Sequence, residues 1–472
     1  MKKYLLNLIN VLSNIFFPMA GFAYASRILG PEGIGKAQFV LTFAQYFILI
    51  AALGIPTYGV IEVARAVGDK NRLSRLFSEL LLINLLTTAL LLVVYLITIS
   101  VFGWFHEDFT LFLIGGGLIL IGFTSIDWFY TGSEQFKFLA FRSVVIKTIS
   151  LIALIVFVKT PDDLLIYLII NALTILSTNI WYLLNLNGSI TIRFRYLDLK
   201  KHIPALLVLF STTLTISIYT VVDTLLLGFL TDSRAVGFYT AAIKINKILI
   251  PVIASLGMVL IPRIAQSIAS QDENSFKRLI DNSFAFICLL GIPVSTGLLV
   301  FAPEIIAVFS GPGFTEAIPA MQISASLAFI IGLGHLFGLQ LLIPGGYQKQ
   351  YLMATIFGVV TSLVLNILLI GTFREKGAAV AIVMGEIAVS SASWYYVRRK
   401  FLLTFNWMLV FRAILSSLLF FPVASVLRNF DIIPVIRLLI ALGVCSGIYF
   451  STQAFVFKEK YMRDLYKLRA EH

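Results

Sequence analysis

Lys244 and Lys247 stand three residues apart in the stretch 236–261, which carries no other charge. On a helix that spacing puts them about 60° apart on one face. Lys244 follows the nearest flanking charge, Arg234, by ten residues, a depth of about 15 Å at 1.5 Å per residue. Ionisable groups that deep in a membrane face a cavity or a partner. Two fixed cations on one face can hold an anion. The competing reading is a lysine pair neutralised by an acid such as Asp223. Arg142 and Lys147 form a second candidate set: Arg142 is read either as a cavity cation or as part of the inner interface, and Lys147 lies some 15 Å beyond Lys137 along a helix. Arg27 is a third, although a residue near a helix end can also snorkel to the interface. Asp127, Asp223 and Glu386 are the acids in or near apolar stretches. Each is read either as a site for a coupling proton or sodium ion or as a counter-ion to a neighbouring lysine. Glu62 and Arg65 read as a surface ion pair, and Arg412 as an interfacial anchor. His335, midway in an apolar run, reads as a titrating group or as a hydrogen-bond partner between helices.

The elements that must hold these residues are membrane helices. Of 472 residues, 59% are hydrophobic and 13% charged, against about 25% charged in a soluble domain. Fourteen apolar stretches are long enough to span. They fall at 6–28, 37–59, 77–101, 110–131, 139–158, 164–186, 204–228, 236–261, 280–301, 318–343, 350–371, 378–397, 408–427 and 435–456. Leu80–Ile99 does not alternate, which excludes the short alternating strands of a β-barrel. With the N-terminus inside, 24 Lys and Arg fall in inside segments and 8 in outside segments. That bias predicts both termini in the cytoplasm. It also accounts for the net charge of +12 without nucleic acid. The first stretch is read as a membrane helix, because Asn7, Asn10, Asn14 and Pro18 make a poor signal peptide. Cys288 and Cys445 lie in apolar runs, and the four His lack ligand spacing. No metal site or cofactor is therefore expected.

The best internal boundary is the polar segment Asn187–His202. It separates an N-lobe (1–190, helices 1–6) and a linker (191–203) from a C-lobe (204–400, helices 7–12). Residues 401–472 hold helices 13–14 and a basic tail. The halves partly repeat. Ile28-Leu29-Gly30 resembles Leu226-Leu227-Gly228, Leu53-Gly54 resembles Leu256-Gly257, and Gly132…Lys137 resembles Gly345…Lys349. Six helices per half give parallel repeats, an arrangement found in transporters with a cavity between two lobes. Pro18 and Pro251, interior to their stretches, are hinge candidates or fixed kinks.

Four elements carry a family resemblance. Arg27-Ile28-Leu29-Gly30-Pro31-Glu32-Gly33-Ile34-Gly35 resembles the R-x-L-G-P-x-x-[YIF]-G element that follows the first helix of polysaccharide transporters. Asp127-Trp128-Phe129-Tyr130-Thr131-Gly132-Ser133-Glu134 resembles their W-x-[FY]-x-G-x-E element, with Tyr130 where Phe is more usual and Thr131 where many relatives have Gln. Val236-Gly237-Phe238-Tyr239-Thr240-Ala241-Ala242 followed by Lys244 resembles V-G-x-Y-x-x-A-x-K. Lys376-Gly377-Ala378-Ala379-Val380-Ala381 resembles G-A-x-x-A. The order matches the Wzx-type oligosaccharide flippases of the multidrug/oligosaccharidyl-lipid/polysaccharide (MOP) exporter superfamily, over helices one to twelve.

The resemblance implies an all-α polytopic membrane protein of about 14 helices, with two six-helix lobes in a V shape and two extra C-terminal helices. It implies a transporter, not an enzyme. The implied task is moving undecaprenyl-diphosphate-linked oligosaccharide (O-antigen, capsule or exopolysaccharide units) to the outer leaflet of the bacterial cytoplasmic membrane. Expected partners are that lipid-linked sugar, membrane lipids, and a polysaccharide polymerase and glycosyltransferases. Burying the diphosphate unpaired is prohibitive, so Lys244, Lys247, Arg27, Lys147 and Arg142 are the cavity cations expected to meet it. A proton gradient, a sodium gradient or the membrane potential would drive the cycle. The alternatives are a lipid II-type precursor flippase, which shares the diphosphate, and a multidrug exporter, whose cationic substrates the lysine pair would repel. A membrane-embedded polymerase, which needs a large outside loop, and a scaffold without transport are the alternatives of other classes.

Overall fold

The computed structural model describes residues 2–186, 190–192, 197–401 and 403–457. Arg193, Arg195, Lys458, Lys460, Arg463, Lys467 and Arg469 of the inside-charge count lie outside the described residues, as do 187–189 and 193–196 of the Asn187–His202 segment. Among the described residues every regular element is helical. Eleven segments are long and apolar enough to cross a membrane. The chain is a multi-pass membrane protein. It divides into two compact units, Met1–Gly228 and Phe229–His472.

The first unit begins with α1 (Lys2–Ala52), which is two helices joined at Gly30. There φ is 67° and ψ is −178°, and Pro31 follows with no N–H to donate. So the R-I-L-G-P-E-G-I-G element is the turn between two helical segments. The next helices are α2 (Ile55–Ala66), α3 (Lys70–Val101), α4 (Phe109–Gly122) and α5 (Asp127–Gly132). They are followed by α6 (Phe136–Phe157), α7 (Leu164–Leu184) and α8 (Ile203–Leu230). α1 packs on α3, α4, α6 and α7, while α2 packs on α3 and α5. Asp69 caps α3, accepting from the backbone N–H of Asn71 and Arg72 at 3.0 Å each. In the core, Tyr95 on α3 donates to the Phe112 carbonyl of α4 at 2.8 Å. A cluster of rings that includes Phe39, Phe43, Phe105 and Phe112 surrounds it.

The second unit holds α9 (Ser233–Ala269), α10 (Glu273–Val300), α11 (Ala302–Phe309), α12 (Ala317–Ser324) and α13 (Leu327–His335). Then come α14 (Gln348–Lys400), α15 (Trp407–Leu418), α16 (Phe420–Arg428) and α17 (Pro434–Ser451). α14 is likewise two helices, broken at Arg374 with φ 53° and ψ −129°. α13 continues into a π-helical turn, Leu336–Leu342. α9 packs on α10, α12, α13 and α14, and α10 packs on α15. The backbone leaves helical geometry at Gly30 and Arg374, whereas Pro18 and Pro251 both sit inside unbroken helical runs. The two prolines are absorbed without a break, because membrane helices tolerate the lost hydrogen bond.

Two glycines matched between the halves, Gly54 and Gly257, both lie at close contacts. Gly54 (φ 78°) lies so close to α8 that a Cβ would sit 2.8 Å from the Phe210 backbone nitrogen. Its counterpart Gly257 on α9 faces Gln340 of the π-helical turn, where a Cβ would fall 2.0 Å from Nε2. At Gly54 the opposing atoms are backbone and exclude a side chain, whereas at Gly257 they are the end of the Gln340 side chain, which would have to shift. Gly54→Ala should therefore cost about 2 kcal/mol or more, from overpacking and a left-handed backbone. The check is the melting temperature of purified protein in detergent. An unchanged value would mean that α8 retreats at no cost.

Candidate functional site

The lysine pair is set by the way α9 is built. Asp232 caps the helix, accepting from the Ala235 N–H at 3.0 Å. Its carboxyl is partly buried, but that N–H and Arg374 hold it below the usual range. Residues 235–243 are all buried, so the V-G-F-Y-T-A-A element is packed core. Asn246 is buried too and donates to Ser324 Oγ of α12 at 2.8 Å. This fixes the rotation of α9. At 100° per residue, Lys244 is turned about 160° from Asn246 and Lys247 about 100°. Lys244 is half-buried and Lys247 exposed, and each charge acts on the other. Two like charges kept this close need an anion or an acid nearby to be tolerated.

In the first unit the structure brings Asp127 and Lys147 each within electrostatic range of Arg142. Arg142 is buried on α6 with its guanidinium 4.1 Å from the centre of the Tyr182 ring on α7. Lys147 donates to the Asn14 side-chain oxygen on α1. Asp127 opens α5 and is exposed, while Trp128, Phe129 and Tyr130 behind it are buried. The W-x-[FY]-x-G element is thus a packing device. The Tyr130 hydroxyl donates to the Tyr182 carbonyl at 2.6 Å. Arg27 is exposed on α1. Asp223 is buried on α8, near enough to Tyr46 to act on it. Glu386 is buried on α14 beside Tyr351. Glu62 and Arg65 pair at 2.8 Å.

Two charged networks were not foreseen. Glu79 on α3 is fully buried. It accepts from Arg75 (2.9 Å), the Asp198 backbone N–H (2.9 Å), Lys201 (2.7 Å) and His202 (2.9 Å). The other nitrogen of His202 meets the Tyr58 hydroxyl at 2.8 Å. Together they tie the chain just before α8 to α2 and α3. In the second unit Glu304 of α11 is gripped by Arg428 of α16 through both oxygens, at 2.8 and 3.0 Å. Arg437 of α17 lies 3.7 Å away. Three of the four donors to Glu79 lie more than 100 residues away in sequence, and Glu304 and Arg428 are 124 apart. Local spacing therefore gave no signal, apart from Arg75 four residues before Glu79.

The polysaccharide biosynthesis protein profile matches residues 1–268, more than half of the sequence. The chain belongs to that family. The resemblance read from four motifs, to polysaccharide transporters of the MOP superfamily, is thereby borne out. A second profile, MatE, matches residues 209–369. A relative named "Putative O-antigen transporter" from Escherichia coli (strain K12) is 26% identical over 410 residues, covering 83% of this chain and 95% of its own. The solved structure titled "Lipid II flippase MurJ, inward closed conformation" superposes with a TM-score of 0.73 at 16% identity, over 96% of this chain and 100% of that one. A multidrug resistance MATE family transporter, solved in an inward-facing conformation, gives 0.64 at 15% identity, over 83% and 97%. At these identities the likeness is one of fold.

Burial pushes the Glu304 carboxyl up, but the Arg428 hydrogen bonds outweigh that and hold it below the ordinary value of 4.5. A carboxyl depressed by folding contributes stability above its unfolded pKa and loses it as pH falls through the folded one. Glu304→Gln should lower stability by about 3 kcal/mol near neutral pH. The difference from wild type should shrink once pH drops below about 4. Melting curves of both proteins across pH 3–8 check this; a gap that stays constant with pH would show that the charge is idle.

Proposed function

We propose that the protein is a flippase for polyprenyl-diphosphate-linked oligosaccharide. It would carry the repeat units of O-antigen, capsule or exopolysaccharide from the inner to the outer leaflet of the bacterial cytoplasmic membrane by alternating access. The observation that carries this reading is the lysine pair of α9, set in an apolar helix of a chain whose family makes polysaccharide. In this reading the two segments broken at Gly30 and Arg374 each cross twice. With α8, the crossings then number fourteen, and both termini are cytoplasmic. The lobes follow the sequence division, 1–190 and 204–400, with 401–472 appended. No enzymatic step is assigned.

The substrate has three parts, and each sets a physical requirement. The sugars need water and hydrogen bonds. The diphosphate needs cations, and Lys244 and Lys247 meet it, with Arg27, Lys147 and Arg142 as further cavity charges. The polyprenyl tail needs an apolar path. A groove of about 380 Å³ lies in the second unit among α10, α11, α16 and α17, lined by Leu289, Pro293, Phe301, Phe420, Leu442 and Phe450, among others. We assign the tail to this groove. Asp127, Asp223 and Glu386 remain the acids for a coupling proton or sodium ion. Glycosyltransferases upstream and a polymerase downstream are the partners that supply and consume such a substrate.

Ala at both Lys244 and Lys247 should abolish transport while the protein still folds and inserts, and Arg at both should retain part of it. The measurement is flipping of a fluorescent polyprenyl-diphosphate saccharide in reconstituted vesicles. Normal flipping by the double-Ala variant would remove the diphosphate role. A photoreactive group on the polyprenyl tail should crosslink to α10 or α17. Crosslinks confined to residues 1–190 would refute the groove assignment.

A further inference from the structure

We infer that the end of α14 is a docking site for an anionic glycerophospholipid of the surrounding bilayer, whose phosphate is held by Arg399 and Lys400. The inference does not depend on the flippase reading. It rests on how charge is arranged at this end of the second unit. α14 finishes on Arg398-Arg399-Lys400, and all three side chains are exposed. A helix C-terminus calls for positive charge, but only for about half a unit. Three units stand here, and Lys349 adds a fourth two residues past Tyr347.

The chain supplies no acid to answer them. No Asp or Glu stands between Glu316 and Glu375, or between Glu386 and Asp431. Phe276 of α10 stacks on Phe401 at 5.8 Å, which brings the acids Asp272, Glu273 and Asp281 of α10 toward this end. Lys277 and Arg278 stand among those acids and act on Asp281 and Asp272. Arg398, Arg399, Lys400 and Lys349 form no ion pair with another described residue. What holds two of them is aromatic. The Arg399 guanidinium lies 4.3 Å from the centre of the Tyr395 ring, and the Lys400 ammonium 5.2 Å from that of Tyr347. Tyr347 is itself set edge-on against Phe401 at 5.8 Å. A ring face positions a cation without cancelling its charge, so both heads can donate to a phosphate oxygen.

The surroundings select a lipid as the source of that oxygen. Tyr and Trp mark the level of the headgroups, and Tyr395 and Trp407 are both exposed here. Met408 and Phe411, at the opening of α15, are exposed as well. Cations beside bare apolar side chains match a molecule that carries a phosphate and acyl chains together. A soluble phosphate gains the first contact and forgoes the second. A zwitterionic lipid brings its own ammonium up against the cations, and an anionic one does not. In the proposed topology this end of α14 is cytoplasmic, where anionic lipid attracts basic segments beside a membrane helix.

The test titrates phosphatidylglycerol or phosphatidylcholine onto full-length protein in detergent and counts bound lipids by native mass spectrometry. Wild type should hold its first phosphatidylglycerol at least tenfold more tightly than phosphatidylcholine. Added salt should narrow that gap. Each cation beside an anionic headgroup is worth about fivefold in affinity. Arg398→Gln, Arg399→Gln and Lys400→Gln together should therefore weaken phosphatidylglycerol binding at least tenfold. Lys349, Arg412, Lys277 and Arg278 remain in that variant, so the charge bias that orients the chain survives. Arg399→Gln alone removes one exposed charge, leaves the packing untouched, and should weaken binding severalfold. A control with three exposed charges removed in the first unit, Lys70→Gln, Arg72→Gln and Lys137→Gln, should bind like wild type. Glycerol 3-phosphate, the headgroup without its chains, should not displace the lipid. No preference of wild type for phosphatidylglycerol, wild-type binding by Arg399→Gln, an equal loss in the control, or displacement by glycerol 3-phosphate would overturn the inference.

Discussion

A charge in the apolar interior must be answered by something, and the described chain is organised around how each such charge is answered. Glu79 is met by four donors, and Glu304 by a two-pronged arginine. Lys147 is met by an amide oxygen and Arg142 by a ring face. These answers differ in what they leave over. The carboxylates are saturated, so they hold helices together. The cations are supported by groups that carry no full negative charge, so their own charge is not cancelled. Saturated carboxylates and uncancelled cations are thus told apart by what answers them.

The same constraint separates helices tied by buried charges from the places where a helix breaks. Glu304 joins α11 to α16 and brings α17 alongside, which fixes the walls of the apolar groove. Glu79 and His202 hold the chain at the start of α8, one turn before Leu206 and Phe210 press on Gly54. By contrast the turns at Gly30 and Arg374 are the places where the backbone itself departs from helical geometry. Arg374 adopts a conformation that a side chain rarely takes, and its guanidinium reaches the Asp232 cap of α9 at 2.5 Å. A salt bridge to a helix cap is one of the few contacts that can hold such a turn, because the ordinary cost of that backbone is about 1–3 kcal/mol.

Much of the fold was legible from composition and period. An apolar run of some 20 residues admits only a membrane helix, and R-I-L-G-P-E-G-I-G and the G-A-A element beyond Arg374 do mark turns and helix starts. The paired glycines at 54 and 257 were legible as a repeat but not as close approaches, since sequence does not show what lies opposite. The helix break at Arg374 was not legible, because a proline such as Pro18 or Pro251 announces itself in sequence whereas a positive φ does not. At the candidate site, unusual depth alone singled out Lys244, Lys247, Arg142 and Lys147. The partners of Arg142 and Lys147, namely Tyr182, Tyr130 and Asn14, are ordinary residues until the fold brings them near. Glu79 and Glu304 escaped notice because their arginine, lysine and histidine partners are almost all distant in the chain.

The proposed transport has an energetic consequence that follows from which charges are fixed. Lys244, Lys247 and Arg142 belong to helices, so they offset the desolvation of a diphosphate without needing to leave with it. If they stay, the charge that crosses is the substrate's own. With the cell interior negative, an anion moving outward runs downhill at about 2.3 kcal/mol per charge per 100 mV, so two charges gain roughly 4–5 kcal/mol. That is on the order of a thousandfold bias. If the helices that carry the cations move across the field with the substrate, the net charge displaced falls toward zero and the potential loses its grip. A proton or sodium ion entering through Asp127, Asp223 or Glu386 would then have to supply the drive. The number of lysines and arginines that travel with the diphosphate therefore decides whether this protein works by electrophoresis or by exchange.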